Sequence, residues 1–193
     1  MVSHLATLFG CAFLACSALA ACPVFIPVGN LDLVEYSGDW KIHGLLRTFG
    51  GNPGMRCLHV EMDSLDWTTE PVDVHAILHG EYVATNVTFE QELPAEVPRL
   101  IEPGKWTINI NGTNFEHTIL HTDYNNSLVI SCAPVTDFDN ALIVLFNTRT
   151  FEPMNPTVID QYKYLLQNYY QIDDEFYYPI FQSEEFCKEH THP

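Results

Sequence analysis

Along most of the chain after residue 38, hydrophobic residues occupy alternate positions, and glycine, proline or asparagine interrupts the alternation at short intervals. A period of two is typical of strands that bury one face. The pattern therefore predicts about eight strands and an all-β fold. The predicted strands cover residues 40–46, 57–67, 72–78, 82–90, 106–110, 115–121, 126–132 and 141–146.

The same alternation predicts which side chains face inward, because large apolar residues keep to one face of each strand and polar residues to the other. His79-Gly80-Glu81 is interpreted as a tight turn, and Asn111-Gly112 is typical of a two-residue hairpin loop. The predicted inward residues are Ile42, Leu46, Leu58, Val60, Met62, Val74, Val87, Phe89, Trp106, Ile108 and Phe115.

A helix is predicted after the last strand. The segment 141–146 is apolar at every position, which indicates a strand covered on both faces. Asn155-Pro156 has the chemistry of a helix start, and apolar residues follow at helical spacing from Val158 to Tyr169. A helix against the outside of strand 141–146 explains both patterns. The sequence thus predicts an eight-stranded antiparallel up-and-down barrel with one C-terminal α-helix packed outside.

The N-terminal segment is predicted to be a secretory signal, because residues 5–20 are small and apolar in a run too short to span a bilayer. We expect a signal at 1–20 and a single secreted domain at 21–193. Leu19-Ala20-Ala21-Cys22 would also suit lipidation of Cys22, but no Lys or Arg precedes it. No later stretch reaches the ~20 apolar residues of a transmembrane helix, so membrane insertion is not expected.

Removal of that signal would leave four cysteines, an even number that favours two disulfides in a secreted domain. Their connectivity stays open among the pairings of Cys22, Cys57, Cys132 and Cys187. No Cys-x-x-Cys pair occurs, and no metal site is expected.

The charge balance narrows the classes of partner. Eight Lys and Arg against 25 Asp and Glu give a formal net charge of −17, which repels nucleic acids and anionic lipid headgroups. Such acidity serves solubility, or it attracts cationic ligands. Three Asn-x-Ser/Thr sequons, at Asn86, Asn111 and Asn125, are expected glycosylation sites on the surface.

Three short motifs resemble those of the lipocalins, especially the branch that includes apolipoprotein D, bilin-binding protein and the crustacyanins. They are Gly38-Asp39-Trp40, then Thr122-Asp123-Tyr124 followed by the strand Leu128–Cys132, and finally Arg149. The resemblance implies that Trp40 plugs the closed end of the barrel while Arg149 stacks over its indole. It also implies the disulfides Cys22–Cys132 and Cys57–Cys187.

The resemblance further implies a ligand inside the barrel. The inward residues above would line its cavity, and His117 is a candidate polar contact. The expected ligand is a bilin, carotenoid, retinoid or fatty-acid-like lipid, carried for transport or coloration without any required cofactor or turnover. The alternatives are an enzyme of the prostaglandin isomerase type, which needs a free thiol in the barrel, and a scavenger of biogenic amines or a protein-interaction module. Inward carboxylates at Glu61 or Asp63 would favour amine binding. A homo-oligomer is left open.

Overall fold

Eight long antiparallel strands follow one another along the chain, each hydrogen-bonded to the next, and the first pairs with both the second and the eighth. The structure is a computed structural model that describes residues 22–52, 54–66, 70–98, 102–136 and 139–191. The predicted signal at 1–20 lies outside these ranges. The strands are β1 (Gly38–Arg47), β2 (Met55–Asp66), β3 (Val72–Tyr82), β4 (Val87–Val97), β5 (Lys105–Ile110), β6 (Thr113–Thr122), β7 (Asn126–Thr136) and β8 (Asp139–Thr148).

Closure of this sheet on itself confirms the predicted eight-stranded barrel. A short strand β9 (Tyr177–Pro179) adds to the outer edge of β1. The helices are α1 (Leu33–Tyr36), α2 (Pro156–Tyr170) and α3 (Glu184–Thr191), with a 3-10 turn at Asp174–Phe176. Within the described ranges, no helix is long and apolar enough to cross a membrane.

The predicted helix lies where the sequence placed it. Asn155 caps α2 by accepting a hydrogen bond from the Thr157 amide at 2.9 Å, and proline occupies the first turn. Tyr162 and Leu166 of α2 are buried in a cluster with Val144 and Phe146 of β8. The opposite face of β8 points into the barrel, so a strand covered on both sides needs apolar residues throughout.

The turn predicted at His79-Gly80-Glu81 is wrong, because β3 continues to Tyr82 and the chain turns at residues 83–86. Gly80 is needed for space rather than for a turn. A Cβ atom at this position would lie 2.4 Å from a methyl of Leu58 and 2.7 Å from the ring of Phe89. The glycine therefore marks a close approach inside the barrel, the other common use of glycine within a strand.

A β-bulge in β1 overturns one inward assignment. The pairing of β1 with β8 shifts between Ile42 and Gly44, so two successive residues oppose one partner and the alternation changes phase. Leu45 then faces the barrel interior. Leu46 lies on the outer face of the barrel wall, where Phe146 and the helix layer bury it completely. Strict alternation from Trp40 had assigned the interior to Leu46 instead.

The C-terminal segment completes the barrel wall where β1 and β2 diverge. Their pairing covers Gly38–Lys41 opposite His59–Met62. Towards the other end, the Gln182 side chain donates hydrogen bonds to the carbonyls of Ile42 and Leu58 at 2.9 and 2.6 Å. This side chain thus takes the place of direct ladder bonds between the two strands.

Two disulfides hold the terminal segments on the barrel, Cys22–Cys132 and Cys57–Cys187. These are the pairs that the lipocalin resemblance implies. Cys57 lies on the outer side of β2, where the returning C-terminal segment reaches it.

Candidate ligand-binding cavity

The barrel encloses a cavity of about 560 Å³, a size within the range of small-molecule sites. Its wall is mainly apolar. The sequence-predicted residues that line it are Ile42, Leu58, Val60, Met62, Val74, Phe89, Trp106, Ile108, Phe115 and His117.

Two predicted lining residues lie elsewhere. Leu46 faces the outer helix layer because of the bulge in β1. Val87 is the first residue of β4 at the barrel rim, with 55% of its surface exposed, and no further layer of residues covers it. Alternation along β4 placed Val87 on the inner face, but alternation carries no information about where a barrel ends.

Strand alternation also missed several lining residues. The apolar ones include Leu45, which the bulge turns inward, and Ile143 and Leu145, which form the inner face of the apolar run in β8. The polar ones are Arg47, Gln91, Asn111, Thr113, Ser131 and Asn147. Asn147 could have been found from the sequence, because it lies two positions after Leu145 and so shares the strand face of Ile143 and Leu145, just beyond the apolar run.

The closed end of the barrel is built around Trp40. Its indole N–H donates to the Tyr36 carbonyl at 2.8 Å, and its ring is almost completely buried. The Arg149 guanidinium lies 3.7 Å from the ring centre and donates to the carbonyls of Glu35, Tyr36, Asp39 and Tyr124. Gly38 has a φ of +92°, a conformation in which a glycine avoids strain.

The turn between β6 and β7 supports the same end. Asp123 accepts hydrogen bonds from the backbone N–H groups of Asn125 and Asn126. Burial opposes ionisation, but these hydrogen bonds outweigh it and lower the pKa of Asp123. Thr122 accepts from the Tyr124 amide, and the Tyr124 hydroxyl accepts from the Asp32 amide. The motif therefore ties the turn to the N-terminal segment that closes the barrel.

His117 lines the cavity as a neutral group. Its Nδ1 lies 2.8 Å from the Ser131 hydroxyl, and its ring lies 4.8 Å from that of Trp106. Burial lowers the pKa of His117 to about 4, since an imidazolium here would lose its hydration. The side chain can exchange a hydrogen bond with a ligand and carries no charge at neutral pH.

The floor of the cavity carries a polar group of three residues, Tyr36, Ser127 and Asn147. The hydroxyls of Tyr36 and Ser127 are 2.9 Å apart, and Ser127 is the cross-strand partner of Asn147. Tyr36 and Asn147 both line the cavity. Burial raises the pKa of Tyr36 to about 12, so the phenol stays protonated.

Arg47 occupies the opposite, open end of β1. Its guanidinium donates to the carbonyls of Gly50 and Gly51 and lies 5.7 Å from the ring of Phe49. Among the lining residues that the structure describes, Arg47 is the one whose charge is permanent, and none is a carboxylate.

The side chains proposed for amine binding do not form such a site in the described part of the chain. Glu61 is half-exposed on the outer face, 3.9 Å from His79. The Asp63 side chain lies outside the described residues. No group of three His, Cys, Asp or Glu suited to a metal occurs in the described ranges.

The three sequon asparagines are exposed on turns. Asn86 and Asn111 lie in the β3–β4 and β5–β6 turns at the open end, and Asn125 lies at the closed end. Their glycosylation stays a prediction.

No family model and no curated protein matches the chain. Several solved structures are similar. Insecticyanin from the tobacco hornworm Manduca sexta is 20% identical, with a TM-score of 0.62, over 86% of this chain and 89% of its own. Lobster apocrustacyanin A1 is 14% identical, with a TM-score of 0.61, over 79% of this chain and 80% of its own.

The siderocalin Ex-FABP, which functions through dual ligand specificities, is also similar. Its identity is 14% and its TM-score 0.58, over 77% of this chain and 95% of its own. Together with the Trp40–Arg149 closed end, the closed barrel and the external helix, these likenesses show that this chain has the lipocalin fold.

Proposed function

We propose that this protein is a secreted carrier that binds one small hydrophobic ligand inside the barrel. The observation that carries the proposal is the largely apolar cavity of about 560 Å³, which Trp40 closes at one end of the barrel. A bilin, carotenoid, retinoid or fatty-acid-like lipid has the apolar character that this wall would stabilise. Transport or coloration is the proposed role, with no cofactor required.

Burial of apolar surface supplies the proposed binding energy. At roughly 25 cal/mol per Å², a ligand that buries about 300 Å² of apolar surface gains about 7 kcal/mol before the costs of association. The cavity adds a few polar groups to this wall, among them His117 and Asn147. Such groups select and orient a ligand rather than hold it.

Other features support carriage over the alternatives. The cysteines at 22, 57, 132 and 187 are all in disulfides, so the described cavity wall offers no thiol for an isomerase. The absence of carboxylates from the described lining residues gives a cationic amine no partner inside the barrel. The two disulfides and the exposed sequons fit secretion.

Two measurements test the proposal. Natively purified protein should show absorption between ~350 and 700 nm or yield a lipid on extraction and mass spectrometry. Titrations with a retinoid, a bilin, a carotenoid and a fatty acid should then find a ligand that binds below ~10 µM. Binding of an amine or a protein partner, with none of these ligands bound, would replace carriage with scavenging.

A matched pair of variants locates the site. Val60 faces the cavity, whereas Val87 is exposed at the rim. Val60→Asp should abolish binding, because it places an unpaired carboxylate among apolar side chains at a cost of several kcal/mol. Val87→Asp adds the same charge in solvent and should leave affinity within about twofold. Equal effects of the two variants would argue against a site inside the barrel.

A further inference from the structure

The mouth of the cavity carries a cation that has no carboxylate partner among the described residues. Arg47 lines the cavity and is half-buried, so a ligand in the barrel can reach it. Elsewhere, Arg149 is held by four carbonyls at the closed end. The other described cationic side chains pair with Asp or Glu; they are Lys41, Arg56, Lys105 and Lys163. An unpaired cation is unexpected in a chain with 25 acidic and eight basic residues.

The loop after β1 holds the Arg47 guanidinium in one orientation. Its Nε–H group donates to the Gly51 carbonyl at 2.8 Å, and Nη2 donates to the Gly50 carbonyl at 2.9 Å. Both glycines have positive φ values, +73° at Gly50 and +64° at Gly51, which other residues rarely adopt. These two bonds use one side of the guanidinium. The terminal pair of N–H groups, one on Nη1 and one on Nη2, makes no hydrogen bond to a described residue.

We propose that Arg47 binds the carboxylate of an elongated amphipathic ligand at the mouth, while the apolar tail of the ligand lies in the cavity. This inference rests on the proposed carrier function and narrows its ligand class to apolar molecules that end in a carboxylate. A planar carboxylate matches the terminal pair of N–H groups and can accept two parallel hydrogen bonds. Because the loop already orders the guanidinium, binding loses less side-chain entropy.

The tail has an apolar path from Arg47 to the closed end. Arg47 and Trp40 lie near opposite ends of β1, and both line the cavity. At about 3.3 Å per residue, the strand between them spans roughly 20 Å. The inward residues of β1 along this path, Ile42 and Leu45, are apolar. A ligand held by its carboxylate at Arg47 therefore buries its tail along the length of the barrel.

The opposite orientation is unfavourable, because the inner end offers a carboxylate no charged partner. The Tyr36 hydroxyl is already bonded to Ser127, and Arg149 does not line the cavity. His117 is neutral, since burial lowers its pKa to about 4. A carboxylate buried without a cation loses its hydration with little compensation. The net charge of −17 also repels anions, so a preference for a carboxylate has to come from Arg47 itself.

The experiment compares tetradecanoate with its methyl ester, which share a chain and differ in charge. Each displaces the neutral dye N-phenylnaphthylamine from the disulfide-bonded protein at pH 8, where the free acid is ionised. The wild-type protein should bind the acid at least as tightly as the ester. Arg47→Gln should weaken binding of the acid about tenfold and leave the affinity for the ester within about twofold. Arg47→Lys keeps the charge without the planar fork and should recover part of the loss.

Lys105→Gln is the matched control. It also removes one positive charge, but at the closed end of β5, where Lys105 pairs with Glu116 at 2.9 Å. The ratio of acid affinity to ester affinity should stay within about twofold of the wild-type ratio. The same decrease in this control as in Arg47→Gln would mean that net charge sets the preference, and it would overturn the inference.

The remaining outcomes separate this inference from the carrier proposal. Equal losses for acid and ester in Arg47→Gln would show that Arg47 only supports the loop, and they would overturn the inference while carriage stands. An unchanged ratio in Arg47→Gln, or binding of the ester without the acid by the wild-type protein, would overturn it as well. Failure of the dye and of all four ligand classes to bind would overturn carriage itself.

Discussion

The guanidinium of Arg149 stacks on the indole of Trp40 at 3.7 Å, and both side chains are bonded to the carbonyl of Tyr36. The Tyr36 carbonyl oxygen thus accepts a hydrogen bond from Trp40, which fills the closed end of the barrel, and another from Arg149, which covers Trp40. Because this arrangement closes one end, a ligand has to enter by the other. The pair is expected to serve stability rather than ligand selection.

Arg149→Ala should therefore destabilise the fold without changing which ligand is preferred. It removes a cation–π contact and several charge-assisted hydrogen bonds, at an expected cost of about 2–3 kcal/mol. The melting temperature should fall by about 4–12 °C. Arg149→Lys keeps the charge but loses the planar fork, and it should recover only part of the loss. A changed ligand preference at an unchanged melting temperature would contradict this role.

Leu45 and Leu46 are adjacent, both are buried, and the bulge sends them to opposite faces of the barrel. Leu45→Ala should change ligand affinity, because Leu45 lines the cavity. Leu46→Ala should cost about 2–5 kcal/mol in unfolding free energy and leave ligand affinity nearly unchanged. Urea denaturation and ligand titration of both variants measure the two effects. If Leu46→Ala changed ligand affinity and Leu45→Ala changed only stability, strict alternation would hold through β1 and the bulge would be contradicted.

The two disulfides should each contribute about 2–4 kcal/mol to stability. Peptide mapping without reduction should find Cys22 joined to Cys132 and Cys57 joined to Cys187. The double variant Cys57→Ala/Cys187→Ala removes one bridge without creating a free thiol, and its midpoint in urea should fall accordingly. A free thiol at any of these positions in native protein would reopen the isomerase alternative.

Acid should destabilise the protein in part through His117. Burial lowers the folded pKa to about 4, whereas the unfolded imidazole titrates near its ordinary value of 6.5. The unfolded state therefore binds a proton first as the pH falls through 6.5, and stability is lost until the folded state also protonates near pH 4. At pH 4.5 this group should cost about 2–3 kcal/mol relative to pH 7.

His117→Gln should remove that share of the acid sensitivity. Glutamine can keep a hydrogen bond to Ser131 but does not titrate. Urea midpoints at pH 7 and pH 4.5 compare the two proteins. Burial and the charge of Lys41 also lower the pKa of His59 to about 4. Because the variant leaves His59 unchanged, its share of the acid sensitivity should be the same in both proteins. If the urea midpoint falls between pH 7 and pH 4.5 by as much in the variant as in the wild-type protein, His117 is accessible to protons in the folded state.

The sequence alone identified the barrel because its determinants are local or periodic. The Asn155-Pro156 helix start and the doubly apolar run before it reappear in the structure, and so does the alternation along the strands outside their bulges. The disulfide pairs came from the lipocalin resemblance, because several connectivities are compatible with the same cysteines. Most of the predicted inward residues do line the cavity, since alternate residues share one face of a strand wherever no bulge intervenes and the barrel covers that face.

Only the tertiary structure decided where that periodicity breaks. The bulge after Ile42 depends on how β1 pairs with β8, and no local signal distinguishes Leu45 from Leu46. Gly80 and its neighbours resemble a turn in sequence, but Gly80 lies within β3, where the Leu58 and Phe89 side chains leave no room for a Cβ atom. The lack of a described carboxylate partner for Arg47 is likewise invisible in the sequence, because ion pairs such as Arg56–Glu81 join residues from distant parts of the chain.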